Sequence, residues 1–172
     1  ISKIRDLNAQ KVSIIEHPAV RLNLINMKSR VEAMRALIYY TAFEFDLESI
    51  AETEDEKELR QNMIDLLTPM CKGWCTEVGL EVVQTGIQVL GGVGYTKDFP
   101  LEQLYQDARI STIYEGTTDI QALDLIGRKI LRNDGALFQL LMGHFSELIN
   151  EHKDHEDMGP LINIFEGCCQ KF

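Results

Sequence analysis

The chain has 172 residues, of which 45% are hydrophobic, and a formal net charge of −10. That length suits one domain or a domain with a tail, and that apolar content supports a packed core rather than disorder. The acidic balance excludes a nucleic-acid surface, which needs clustered Lys and Arg, and equally an anionic membrane surface. The opening stretch ISKIRDLNAQ has no apolar segment of the kind a leader carries, and it begins at Ile1 rather than Met, which points to a chain cut from a longer protein. The apolar positions Leu24, Met27, Val31, Met34, Ile38, Thr41 and Phe45 then step by three and four residues. Such an a/d stripe predicts a long helix, with Pro18 in its first turn and its end near Ile50.

The acidic run ESIAETEDEKELR reads as a solvated linker and helix start. A second stripe follows, through Ile64, Leu67, Cys71, Trp74, Val78, Val82, Thr85 and Val89, with Pro69 inside it. Proline removes a helical hydrogen bond and clashes with the preceding turn. Pro69 therefore either kinks one long helix or opens a new one with Thr68 as N-cap. Gly91, Gly92 and Gly94 in LGGVGYTKDFP end the segment. Residues 100–108 predict a short helix with Pro100 in its first turn, STIYEG turns the chain, and residues 118–132 predict another helix. Thr118 and Gln121 fit the capping-box pattern at its start. Leu137, Leu140, Leu141, Phe145, Leu148 and Ile149 resume the helical spacing, and LINIFEGCCQKF begins one more helical stretch. No strand alternation, internal repeat or bilayer-length apolar run is visible. The expected fold is all-α: an antiparallel, up-down helical bundle over residues 1–132, with a short helical C-terminal extension over 133–172.

Three features carry possible chemistry. The Gly91-Gly92 pair permits close approach of a ligand, but no strand precedes it and dinucleotide-binding spacing is missing, so its plain reading is a helix end. Cys71 and Cys75, with His144, His152 and His155, lack the spacing of a zinc knuckle. Core cysteines and surface histidines are the simpler reading, with no metal site. The cysteine pattern, including Cys168 and Cys169, is unlike a secreted disulfide framework and suits reduced thiols in a cytoplasmic protein. Glu115 is different. A helix dipole explains a negative charge ahead of residue 118. It does not explain bulky Tyr114 before that charge and bare Gly116 after it, an arrangement that leaves room for a substrate beside a general base.

Two blocks, IQVLGGVGYTKDFPLEQLYQDARISTIYEGT and IQALDLIGRKIL, resemble the acyl-CoA dehydrogenases in order and spacing. With IIEHPAVRLNL and EAMRALIYYTA they look most like the long bacterial subfamily that includes 3-methylthiopropionyl-CoA dehydrogenase-like enzymes. The resemblance is strong over about residues 14–132 and implies an FAD-dependent enzyme. It implies that Glu115 abstracts the α-proton of an acyl-CoA thioester while the β-hydrogen leaves as hydride to the flavin. It also implies that the thioester lies near Tyr114 and Gly116. By the same resemblance, Gln88, Gly91 and Gly92 lie in a loop that contacts the FAD of a neighbouring subunit, and Thr117 contacts FAD within its own. Asp119 stands where several relatives carry Gln, and a carboxylate lacks the amide's donor. The implied partners are an acyl-CoA, an electron-transfer flavoprotein as acceptor, and further copies of the chain in a homo-oligomer.

The family enzyme also has an N-terminal helical domain and a middle β domain, and the bundle's first helix is expected upstream of this chain. The fragment alone is therefore expected to bind FAD weakly or not at all and to be inactive. Two rivals stand beside this reading: a non-catalytic helical module for oligomerisation or partner binding, and an acyl-CoA oxidase-like enzyme.

Overall fold

The first long helix, α1 (Pro18–Ser49), starts where His17 is extended and Pro18 supplies a pre-set φ at the first helical position. It belongs to a computed structural model that describes residues 12–171. The stretch ISKIRDLNAQ, expected to carry no leader, lies outside the described residues. At 1.5 Å per residue α1 spans about 48 Å. It lies antiparallel to a second rod made of α2 (Glu54–Met70), a π-helical turn (Cys71–Cys75) and α3 (Thr76–Leu90). Cross-links mark the pairing along its length: Arg30 to Glu81 at 2.5 Å, Thr41 to Cys71 at 3.2 Å, Glu44 to Arg60 at 3.3 Å and Glu48 to Lys57 at 3.7 Å.

The predicted stripe of α1 holds in its first half, where Leu24, Met27, Val31 and Met34 are half-buried. Beyond Met34 it needs correction. Ile38 and Phe45 are 46% and 53% exposed, whereas Thr41 of the stripe is buried and is joined by Glu44, which the stripe does not include. The cause is a change of partner. The first half of α1 packs on α3, as the close approach of Met27 to Gly86 shows, and the second half packs on α2. A strict heptad repeat would need one straight partner.

The acidic run is a helix start. Thr53 caps α2 by accepting from the Glu56 N–H at 3.2 Å, and Glu54, Asp55 and Glu56 complement the helix dipole. Met63, Ile64, Leu66 and Leu67 form the densest part of the core. Of the two readings of Pro69, the structure takes the continuous helix. The Thr68 hydroxyl donates back to the Ile64 carbonyl at 2.7 Å rather than capping a new start. The π turn that follows puts an extra residue into the turn and rotates what comes after, so Trp74 of the second stripe is 43% exposed.

Gly91 ends α3 at φ 67° and ψ −148°, a conformation only glycine adopts readily. A 3₁₀ turn (Gly91–Tyr95) leads through Pro100 into α4 (Leu101–Ser111), which returns along α3. Then come α5 (Thr118–Leu123), a second π-helical stretch (Asp124–Ile130), α6 (Ala136–His152) and α7 (Gly159–Cys169). Lys129 binds Asp65 at 2.9 Å and ties the second π-helical stretch to α2. In the tail, Phe145 of α6 meets Phe165 of α7 edge-on, with centroids 5.0 Å apart. Among the described residues there is no strand, so the fold is the all-α antiparallel bundle with a helical extension. None of these helices is long and apolar enough to cross a membrane.

Candidate active site

The turn between α4 and α5 is built from its own backbone outward. The N–H groups of Ile113 and Tyr114 both donate to the Ile110 carbonyl, at 3.0 and 3.2 Å, closing the end of α4. Buried Thr112 donates to the Arg109 carbonyl at 3.0 Å and accepts from the Arg109 guanidinium at 3.1 Å. The chain then reverses through two left-handed residues, Glu115 at φ 57° and Gly116 at φ 95°. Glycine adopts such angles freely, whereas glutamate pays about 1–2 kcal/mol for them. Backbone strain of this kind collects at functional sites and persists only where neighbours enforce it.

The neighbours here are specific. Gln121 of α5 donates its amide to the Glu115 carbonyl at 3.1 Å. Lys72, in the first π turn, donates to the Ser111 carbonyl at 2.9 Å and to the Gly116 carbonyl at 2.6 Å. Its ammonium also lies 5.8 Å from the centre of the Tyr114 ring, within cation–π range. A Cβ at position 116 would come within 2.9 Å of the Gln121 amide nitrogen and push that amide aside, while φ 95° itself favours glycine. Thr118 donates to Glu77 of α3 at 2.5 Å. The expected capping box is therefore not formed. Thr117 is the N-cap residue, Thr118 is engaged by Glu77, and Gln121 reaches past the helix start to Glu115.

The candidate site residues fall into two groups. Tyr114, Glu115, Gly116 and Thr117 share this turn, Asp119 follows in the first turn of α5, and Glu115 is exposed. Gln88, Gly91 and Gly92 lie at the opposite end of α3, about 28 Å from Lys72 along the helix axis. They too are exposed, and a Cβ at Gly91 or Gly92 would meet nothing within 4 Å. Behind the turn, Gly73, Glu77, Thr118 and Gln121 help line an apolar groove of 990 Å³, which Phe145 and Phe165 bound on the tail side.

The thiols of the first π turn are free. Cys71 is in contact with Thr41, while burial and the adjacent Cys71 push the Cys75 thiol up to about 11. Lys72 and Glu77 were not singled out by sequence reading. The signal for the π turn was present, since Pro69 and Gly73 both interrupt the helical pattern there. Nothing in sequence spacing could pair Lys72 with carbonyls 39 and 44 residues away.

Residues 1–131 match the family model described as acyl-CoA dehydrogenase, C-terminal domain. The chain belongs to the acyl-CoA dehydrogenase family. Among curated acyl-CoA dehydrogenases, it is 46% identical over 124 residues to 3-methylmercaptopropionyl-CoA dehydrogenase of Ruegeria pomeroyi, covering 72% of this chain and 21% of that protein. It is 36% identical over 152 residues to the broad-specificity linear acyl-CoA dehydrogenase FadE5 of Mycobacterium tuberculosis, covering 87% of this chain and 25% of the relative. The chain thus spans a quarter or less of these relatives' lengths. Its fold is that of Caenorhabditis elegans ACDH-11, solved in complex with C11-CoA, at a TM-score of 0.80 and 22% identity over 97% of this chain and 28% of that one.

Proposed function

We propose that this acyl-CoA dehydrogenase domain is the C-terminal helical part of a full-length, FAD-dependent enzyme that oxidises an acyl-CoA to its trans-2-enoyl-CoA, with Glu115 as general base. The observation that carries the reading is the Glu115 turn. It is a left-handed carboxylate-bearing residue, pinned through its own carbonyl and the next one, with its side chain at the surface and without a partner among the described residues.

The chain's own residues suit the task. Lys72 holds the backbone before Glu115 at Ser111 and after it at Gly116, and Gln121 holds the Glu115 carbonyl itself, so the carboxylate projects from a preset position. The missing Cβ at Gly116 makes room for Gln121 and Ile120 behind the turn, and we place the thioester beside Gly116 and the exposed Tyr114. The carboxylate takes the α-proton as the α-carbon's electron pair moves to form the Cα–Cβ double bond. When bound, FAD supplies the acceptor for the β-hydrogen and its electron pair. A bound acyl chain would exclude water from the reacting atoms.

The residues fit FAD in kind. Thr117 keeps a hydroxyl that makes no capping bond, and the Gly91-Gly92 surface is open to a flat ligand. We assign Thr117 and Asp119 to the cofactor of the same subunit, and Gln88, Gly91 and Gly92 to that of a neighbour. The length of α3 between the two groups supports a homo-oligomer, as does the exposed apolar face of α1 at Leu22, Ile25, Tyr39 and Phe43. We further assign residues 1–132 to the catalytic bundle and 133–172 to the start of an additional helical region, with an electron-transfer flavoprotein as acceptor and the cytoplasm as location. Solved structures similar to the chain include one described as an electron transferring flavoprotein of Acidaminococcus fermentans, at a TM-score of 0.57 and 29% identity over 77% of this chain and 30% of that one.

The fragment alone lacks most of the cofactor's surroundings on this reading, so it should purify without stoichiometric flavin. In the full-length enzyme, Glu115→Gln should lower turnover about 10²–10⁴-fold while FAD stays bound. Retained turnover would favour a non-catalytic module.

A further inference from the structure

We infer that Lys72 is a positioning residue for the proposed base, a staple that holds the Glu115 turn in its left-handed conformation from the adjacent π turn. The inference rests on the reading of Glu115 as base, and its geometry is independent of that reading. One ammonium reaches two carbonyls that bracket the turn, Ser111 at 2.9 Å and Gly116 at 2.6 Å. Ser111 is the last residue of α4, so its carbonyl is among those a helix end leaves without a partner. Gly116 lies just ahead of the α5 N-cap. The turn residues lie between these two anchor points, and the only non-glycine residue among them with positive φ is Glu115. The same ammonium sits 5.8 Å from the Tyr114 ring centre, which fixes the side chain beside the base.

Lys72 reaches this place because the helix is irregular there. Pro69 and the π turn Cys71–Cys75 break the regular progression of side chains along the rod, and Lys72 is the second residue of that turn. π turns recur at functional sites for this reason: they aim a side chain that a regular helix would direct elsewhere. Gly73, next in line, lies directly against α5, where a Cβ would make ordinary contact with Gln121 at 3.5 Å. Gln121 in turn holds the Glu115 carbonyl. Lys72 and Gln121 together restrain the backbone on both sides of the Glu115–Gly116 peptide. A cation that merely capped α4 would need Ser111 alone. The contact with Gly116 ties the cap to the residue after the carboxylate.

The test uses the full-length enzyme and Lys72→Met, which keeps an apolar stem and removes the charge and every donor. Lys72→Arg serves as the conservative control. Three quantities are read: flavin content, the split between kcat and KM, and amide hydrogen exchange over residues 112–117. Lys72→Met should retain FAD, keep KM for acyl-CoA within about twofold, and lose about 10²-fold in kcat, the cost of a base displaced by about an ångström. Exchange in the turn should accelerate about tenfold, the scale of one lost charge-assisted hydrogen bond. Lys72→Arg should recover most of both. Should Lys72→Met lose its flavin, Lys72→Gln, with one amide donor, takes its place with the same readouts. Wild-type kcat per bound flavin with unchanged exchange overturns the inference. If Glu115→Gln keeps full turnover, the reading of Glu115 fails instead, and the exchange rates still decide whether Lys72 holds the turn.

Discussion

Glu44 gives the sharpest test of how this bundle is held together. Its side chain is 2% exposed, and its carboxylate lies 3.3 Å from Arg60, whose side chain is 30% exposed. The Tyr40 phenol lies beside the same carboxylate. Removing one partner of a buried ion pair costs about 3–5 kcal/mol when the survivor stays buried. Arg60 is partly hydrated, so Glu44→Ala should cost less, about 2–3 kcal/mol. For a protein of this size that lowers Tm by about 4–12 °C. Glu44→Gln keeps the shape and an acceptor and should lose about half as much. Urea and thermal unfolding measure both. A second readout checks the mechanism. Partial burial and the neighbouring Glu44 carboxylate push the Tyr40 phenol up to about 12, so its ultraviolet titration should fall toward the ordinary value in Glu44→Gln. Stability linked to Tyr40 is fully present below about pH 10 and is lost as pH rises toward about 12. A Glu44→Ala protein within about 0.5 kcal/mol of wild type would refute the reasoning, since that is the range of an uninvolved surface change.

Two further outcomes follow from the same geometry. Burial pushes the Asp65 carboxyl up, but hydrogen bonds from Lys129 and Gln61 and the Lys129 charge outweigh it and hold it below its ordinary value. Its contribution is therefore present above about pH 4 and lost as pH falls through the lowered value, and Lys129→Met should flatten the acid limb of a stability–pH curve. At the left-handed position of Glu115, Glu115→Gly should be more stable than Glu115→Ala by about 0.5–1 kcal/mol in denaturant unfolding, the reverse of their order in a regular helix.

The helices were legible because their signals are local. Pro18, the Thr53 region, Pro100 and the Gly91 stop mark ends that depend only on nearby backbone chemistry. Beyond Met34 the inward line of α1 was legible only at Thr41, because there it depends on which helix lies opposite, and a single stripe does not carry that information. The polar core pair Glu44–Arg60 escaped for the same reason: two charged residues on different helices look solvated until the helices are docked. At the site, Tyr114-Glu115-Gly116 stood out because an acid between a bulky residue and a glycine fits neither helix nor plain surface. Its supports did not stand out. Gln121 looked like a capping residue, and Lys72 like any helical lysine, because their partners are set by tertiary packing.

The most direct measurement is anaerobic mixing of the full-length Glu115→Gln enzyme with an acyl-CoA that the wild type oxidises, following flavin absorbance. The account predicts a variant that holds its flavin and binds acyl-CoA yet bleaches about 10²–10⁴ times more slowly than wild type. Bleaching at the wild-type rate would contradict it.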